Sequence, residues 1–120
     1  MRTKTTVTTT KSPEEVAQIA RNFFENLGFN YVKFKKQMVY KRGKGFLTAP
    51  QIFRIVIEDG VVTIESWLPT ALLIGVYVGE SGIDNNYGWA VKLSMRANLR
   101  EFINAFGESD SIVSGYYPKQ

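Results

Sequence analysis

The dipeptide Asp59-Gly60 is the feature that most constrains the fold of this chain. It separates residues 52–58 from residues 61–67, and apolar and polar side chains alternate in both runs. An Asp-Gly pair between alternating runs is typical of a hairpin with a two-residue turn. A turn of this length fixes which residues of the two strands pair with each other. That register makes these pairs: Glu58 with Val61, Ile57 with Val62, Val56 with Thr63, Ile55 with Ile64, and Arg54 with Glu65.

This register sorts the hairpin side chains by polarity. The isoleucine and valine pairs share a core face, whereas Arg54 and Glu65 form an opposite-charge pair on the other face. A slip of one residue would turn the charged side chains into the core. We therefore expect a hairpin that packs one face against the rest of the domain.

Two segments carry apolar residues at the spacing of an amphipathic helix. The first has a capping box, with Ser12 as the cap, Pro13 in the first helical position and Glu15 completing the box. Gly28 lies where a left-handed residue ends a helix. The second helix is predicted to begin after Ser94. The apolar positions are Val16, Ile19, Ala20, Phe23, Phe24 and Leu27 in the first helix, and Met95, Leu99, Phe102, Ile103 and Phe106 in the second.

The other segments predict strands. Residues 3–10 are rich in threonine and predict an edge-like strand, and residues 30–42 alternate, with Lys36 as the exception. Residues 71–78 are apolar on both sides, and residues 89–93 are compatible with a short last strand. The expected fold class is α+β, with an antiparallel sheet of about five to six strands in the order β-α-β-β-β-β-(β)-α and both helices on one face.

Length and composition bound the domain organisation and the chemistry. The 120 residues suit one domain, which we place at residues 1–107, with residues 108–120 as a C-terminal tail. Residues 1–6 lack the apolar stretch of a leader peptide, and the longest apolar run, residues 71–78, is shorter than the ~20 residues of a spanning helix, so we expect a cytoplasmic location. Histidine and cysteine are both missing, which removes the usual general base, the thiolate nucleophile and the softer metal ligands. We therefore predict no catalytic residue, no metal or cofactor, and a non-enzymatic role.

Positive charge is concentrated in the first part of the chain. Residues 1–45 hold ten Lys or Arg and three Glu. One interpretation is an edge strand that lysines protect from pairing with other sheets. The alternative is a site that binds nucleic acid or another polyanion. The candidate residues for that site are Lys33, Lys35, Lys36, Lys41, Arg42 and Lys44.

Apolar surface gives the preferred functional hypothesis. The two-sided strand at residues 71–78 and a half-apolar open sheet face would expose a patch on a lone domain. We therefore predict binding to a protein partner or to a second copy of the chain, as a homo-oligomer. The candidate interaction surface consists of Trp67, Leu73, Val76, Tyr77 and Val78.

Two phrases and the element order carry a resemblance to known proteins. Residues 43–50 (GKGFLTAP) and residues 75–82 (GVYVGESG) resemble an uncharacterised family of small bacterial domains. The order of elements is similar to the TATA-binding-protein-like fold and the related helix-grip arrangement. The resemblance spans roughly residues 3–107 and implies this fold, but no activity and no catalytic residue. Helix-grip folds often hold a small apolar ligand between sheet and helix, which is a further alternative.

Overall fold

Seven strands and two helices are present in the part of the chain that the computed structural model describes, namely residues 2–43, 50–58, 60–73, 76–83, 89–106 and 112–116. The elements are β1 (Thr3–Thr8), α1 (Pro13–Asn26), β2 (Asn30–Phe34), β3 (Gln37–Arg42), β4 (Gln51–Glu58), β5 (Val61–Leu73), β6 (Val76–Gly82), α2 (Trp89–Phe106) and β7 (Ile112–Gly115). The strands form one antiparallel sheet in the order β2-β3-β4-β5-β1-β7, and β6 pairs with the far half of β5. The α+β class predicted from the sequence is confirmed.

The β4–β5 hairpin has the register that the Asp-Gly turn predicts. Glu58 pairs with Val61, and the ladder continues in step to Ile52 opposite Trp67. Gly60 has a φ of 79°, which is the left-handed conformation that such a turn requires of glycine. The hairpin therefore forms as expected from its local sequence.

The helices pack on the same face of the sheet, as predicted. Helix α1 begins with the expected capping box, in which the Ser12 hydroxyl accepts a hydrogen bond from the Glu15 amide at 3.2 Å. Helix α2 begins at Trp89, so the predicted short strand over residues 89–93 is wrong. Alternation over only five residues is also compatible with one and a half helical turns, which is why the pattern misled.

An aromatic cluster lies at the centre of the core between the helices and the sheet. The Phe24 side chain of α1 is fully buried, and both helices and four strands contribute buried residues to the same cluster. Close ring contacts of this kind add to the stabilisation from burial alone. The rings with centroids within 5.4 Å of the Phe24 ring belong to Phe23, Phe29, Tyr40, Phe53 and Phe102.

Residues 30–42 form a hairpin, β2–β3, instead of the single strand expected from their alternation. The chain turns back at Lys35 and Lys36, whose φ values are 49° and 70°. Two successive positive φ angles define the turn type that suits a two-residue hairpin, although Asn and Gly are the usual residues there. The turn escaped prediction because neither lysine is a turn-forming residue.

The strand β1 is internal to the sheet, which corrects the expectation of an edge-like strand. It pairs with β5 on one side and with β7 on the other. Residues 112–115 of the expected tail thus belong to the sheet, where a side chain on Gly115 would collide with the backbone of Lys4. The expected strand over residues 71–78 is instead the end of β5 and the start of β6, because the chain reverses between them.

Candidate functional site

The predicted basic stripe is divided between two faces of the sheet. Lys33 lies on the face that carries the helices, together with Tyr31, because the turn at residues 35–36 folds the stretch back on itself. Lys41 lies on the opposite face, with its Nζ 5.4 Å from the centre of the Phe34 ring. Exposed Lys35 and Lys36 form the hairpin tip, and Lys44 lies outside the described residues.

Arg42 has partners within the domain. Its Nη1 donates to the carbonyl oxygen of Leu27 at 2.8 Å, and its Nη2 donates to Oε1 of Gln51 at 2.8 Å. The guanidinium also lies 4.6 Å from the centre of the Phe29 ring. Burial lowers the pKa of this group from its ordinary value. Arg42 therefore fastens the C-terminal end of α1 to the base of the β2–β3 hairpin.

The sheet face opposite the helices, called the open face below, is covered at its centre. Val39, Ile52 and Trp67 are buried there, Trp67 with only 1% of its surface exposed. The Arg2 guanidinium lies 3.7 Å from the centre of the Trp67 ring. This corrects the prediction that Trp67 belongs to an exposed interaction surface. The side chains of the other predicted members, Leu73, Val76, Tyr77 and Val78, lie outside the described part of the structure.

A cluster of charges surrounds Glu65 on the open face. Its carboxylate accepts hydrogen bonds from Arg2 at 2.8 Å and from Arg54 at 2.9 Å, and Lys4 lies 3.8 Å away. The predicted Arg54–Glu65 pair is thus confirmed. Burial alone would raise the pKa of Glu65, but the hydrogen bonds and positive charges of Arg54 and Arg2 outweigh it and hold this pKa below its ordinary value. The cluster is an ion network that stabilises the sheet.

A cleft opens between β3 and β4. The two strands pair only from Arg42–Gln51 to Tyr40–Phe53, and among the described residues none pairs with β4 beyond Phe53 on this side. The β2–β3 hairpin therefore diverges from β4 toward its tip. We call this gap the β3–β4 cleft.

The backbone groups that face the β3–β4 cleft follow from the two hairpin registers. Residues flanking a two-residue turn exchange hydrogen bonds, and this exchange recurs at every second pair. Glu58 and Val56 therefore bond to β5, whereas the N–H and C=O of Ile55 and Ile57 point away from β5. By the same rule, Met38 of β3 points its N–H and C=O toward β4. The cleft is thus bordered by backbone donors and acceptors on both sides.

Exposed apolar side chains lie beside these backbone groups. The β3–β4 cleft has a volume of about 390 Å³. Tyr31 and Met38 are 47% and 44% exposed, and no other large apolar side chain described on the strands is exposed to this extent. The residues that line the cleft are Tyr31, Lys36, Gln37, Met38, Arg54, Ile55, Val56 and Ile57.

A second cavity adjoins the cleft on the helix side. This α1 groove, of about 400 Å³, lies between α1 and the sheet. It shares Tyr31, Ile55 and Ile57 with the β3–β4 cleft, so the two cavities meet at these side chains. Burial is the main cause that raises the pKa of the Tyr40 phenol, and the adjacent Tyr31 adds to it. The other residues that line the groove are Glu14, Ala17, Gln18, Ala20, Arg21 and Tyr40.

Sequence reasoning missed this site for an identifiable reason. Residues 30–42 read as one strand would place Tyr31 and Met38 on opposite faces, whereas the hairpin places both on the helix face. The signal that could have revealed the turn is Lys36, a charged residue at a position where the alternation requires an apolar one. After this position, the residues that share a face with those of β2 change by one. The divergence of β3 from β4 has no signal in the sequence.

No group of three or more potential metal ligands occurs among the described residues. No helix in the described ranges has the length and apolar character needed to cross a membrane. Comparison with protein families, curated proteins and solved structures gave no match to this chain.

Proposed function

We propose that this chain is a non-catalytic interaction domain that binds an extended segment of a partner protein in the β3–β4 cleft. The observation that carries the proposal is the interrupted β3–β4 ladder, which leaves the outward backbone groups of Ile55 and Ile57 beside exposed Tyr31 and Met38. An extended segment would add a strand to β4 through main-chain hydrogen bonds. The absence of histidine and cysteine from the sequence is in keeping with a binding role.

Backbone hydrogen bonds supply part of the expected affinity. Each hydrogen bond that forms in place of a hydrogen bond to water contributes about 0.5–1.5 kcal/mol net. A segment that pairs with Ile55 and Ile57 therefore gains a few kcal/mol of binding free energy. Met38 offers its backbone groups on the other side of the same segment. No described residue pairs with these groups, so we expect water to satisfy them until a partner strand replaces it.

Apolar contacts supply the rest of the expected affinity. A bound segment would cover Tyr31 and Met38 and would reach Ile55 and Ile57, which are only partly buried. Burial of apolar surface contributes about 25 cal/mol per Å². The open face lacks a comparable exposed patch among its described residues, since Trp67 is covered.

Amide hydrogen exchange tests the open edge in the free protein. We expect the amides of Ile55 and Ile57 to exchange about a hundredfold faster than those of Arg54 and Val56, which bond to β5. The four residues alternate along one strand, so they are matched controls for each other. Equal protection of all four amides would show that the β4 edge is already paired and would overturn the proposal.

Peptide binding tests the function. The probe is a short synthetic peptide in which valine alternates with threonine, and its control carries N-methyl groups on alternate residues. We expect the first peptide alone to shift the amide signals of Ile55 and Ile57 in an NMR titration. Tyr31→Ala and Met38→Ala should each weaken binding by about tenfold. Leu93→Ala, which removes a side chain of similar exposure (50%) from α2, should leave it unchanged.

The alternatives predict different outcomes in the same titration. Salt-sensitive binding of mixed DNA that is unaffected by Tyr31→Ala and Met38→Ala, with no binding of the peptide, would overturn the proposal in favour of polyanion binding. Equal binding of the plain and the N-methylated peptide would also overturn it, because strand addition requires the peptide N–H groups. That second result would support the small apolar ligand alternative, with the α1 groove as its site.

A further inference from the structure

The charge around the β3–β4 cleft is predominantly positive. Lys36 and Arg54 line the cleft itself, and Lys35 lies next to Lys36 at the exposed hairpin tip. Arg54 is shared with the Glu65 carboxylate, which also pairs with Arg2 and lies 3.8 Å from Lys4, so three positive charges face one negative charge and the cluster as a whole is positive. A partner with acidic side chains would therefore find complementary charge at the open-face side of the cleft.

The backbone of the hairpin tip is a second, independent observation. Lys35 and Lys36 both have positive φ, a conformation that residues other than glycine, asparagine and aspartate adopt at a cost. Asparagine and glycine at these positions would form the same turn without strain. Strained residues cluster at functional sites, so lysines in this turn point to a role for their charge.

The geometry of the cleft sorts the side chains of any strand that binds there. Residues opposite Ile55 and Ile57 place their side chains on the helix face, where the α1 groove offers apolar contacts at Ala20 and Tyr40 beside the polar side chains of α1. The alternate residues face the open side of the sheet, toward Lys36 and Arg54. One face of the bound strand would therefore contact the α1 groove, and the other face would contact positively charged side chains.

We infer that the partner is an extended segment of a protein in which apolar side chains alternate with acidic ones. Its apolar side chains enter the α1 groove, and its carboxylates face Lys36 and Arg54. The inference rests on the proposed function, because it needs strand addition at Ile55 and Ile57. It adds the chemical class of the partner.

Three peptides of equal length test the inference. Valine alternates with threonine in the first, with glutamate in the second and with lysine in the third. At low salt, we expect the glutamate peptide to bind at least about tenfold more tightly than the lysine peptide. Raising the salt concentration should reduce this ratio, because the charges at the hairpin tip are exposed to solvent.

A pair of charge variants locates the effect. Lys36→Gln should reduce the preference for the glutamate peptide over the threonine peptide by about threefold. Arg100→Gln, which removes one positive charge from α2, should leave that preference unchanged. Both variants keep the core intact, so circular dichroism should show the same fold for each.

The outcomes separate this inference from the proposed function. Equal binding of the three peptides, or tighter binding of the lysine peptide, would overturn the inference and leave strand addition standing. Failure of all three peptides to bind would overturn both. A glutamate preference that Lys36→Gln and Arg100→Gln reduce equally would also overturn the inference, because the charge of the whole domain would then explain it.

Discussion

The β4–β5 and β2–β3 hairpins are both closed by two-residue turns, yet they are held in place by different forces. The β4–β5 hairpin has a favourable Asp-Gly turn. Its strand β5 pairs with β1 and β6 on the outer edge, and the first three residues of β4 pair with β3. The β2–β3 hairpin has a strained turn of two lysines and departs from β4 after Tyr40. The first hairpin is part of the core. The second, residues 30–42, separates from the sheet toward its tip and is called the β2–β3 arm below.

Polar contacts anchor the β2–β3 arm at two points. Arg42 joins its base to Leu27 and Gln51, and the Arg2 guanidinium donates to Oε1 of Gln37 at 2.8 Å on the open face. Between these points, none of the described residues pairs with the β4 edge. The proposed binding site therefore lies where local preference is weak and packing is incomplete, as is common for binding regions.

Cavity-forming substitutions should show the largest difference between the hairpins. Ile64→Ala in β5 removes a fully buried side chain from the core, and we expect a loss of about 3 kcal/mol in the free energy of unfolding. Val32→Ala in β2 affects a partly buried side chain and should cost about 1 kcal/mol. Urea denaturation with an unchanged m-value measures both. Equal costs would show that the two hairpins are anchored equally.

Loss of the Glu65 carboxylate should have the next largest effect. Glu65→Gln leaves Arg2 and Arg54 without their counter-charge, and we expect a loss of about 1–2 kcal/mol at neutral pH. This is less than for a fully buried pair, because both guanidinium groups keep some contact with water. Glu58→Gln, at an exposed position of the same hairpin, is the matched control and should change stability little.

The pH dependence of the Glu65 contribution follows from its lowered pKa. Because the pKa is lower in the folded chain than in the unfolded chain, ionised Glu65 stabilises the fold above the ordinary value of 4.5. That contribution is lost as the pH falls through the pKa of the folded state. Urea titrations of the wild type and Glu65→Gln should therefore converge in stability at acidic pH. A constant difference down to the most acidic conditions would contradict this assignment.

Relief of the strained turn should have the smallest effect, and in the opposite direction. We expect Lys35→Asn combined with Lys36→Gly to raise the free energy of unfolding by about 1 kcal/mol, because these residues adopt positive φ readily. Thermal denaturation measures the gain. Lys33→Asn, two residues before the turn in β2, should give no gain. A double variant that is less stable than the wild type would show that the lysines stabilise the arm in another way.

Local patterns predicted the β4–β5 hairpin and α1 correctly. Turn chemistry and alternation fix the pairing of Arg54 with Glu65, and the capping box at Ser12 fixes the start of α1. The same reasoning missed the turn at Lys35 and Lys36, because only long-range contacts such as that of Arg42 with Leu27 hold it. Alternation alone cannot separate one long strand from a hairpin whose turn residues are atypical.

The candidate site was less predictable than the fold. Its apolar residues, such as Met38 and Ile55, have the sequence pattern of ordinary core residues. Their role depends on how far β3 diverges from β4, which no neighbouring residue encodes. Lys36 is a candidate residue of the alternative polyanion site, and in the structure it lines the β3–β4 cleft.

The sequence by itself determined the class of the fold, the register of the β4–β5 hairpin and the apolar faces of the two helices. These features follow from periodicity and turn residues, which act over a few neighbouring positions. Only the tertiary structure decided that β1 is internal, that Trp67 is covered and that β3 separates from β4. These features depend on which distant segments of the chain pack together. The free energy of such long-range contacts is available only in the assembled core, so no single stretch of sequence predicts them.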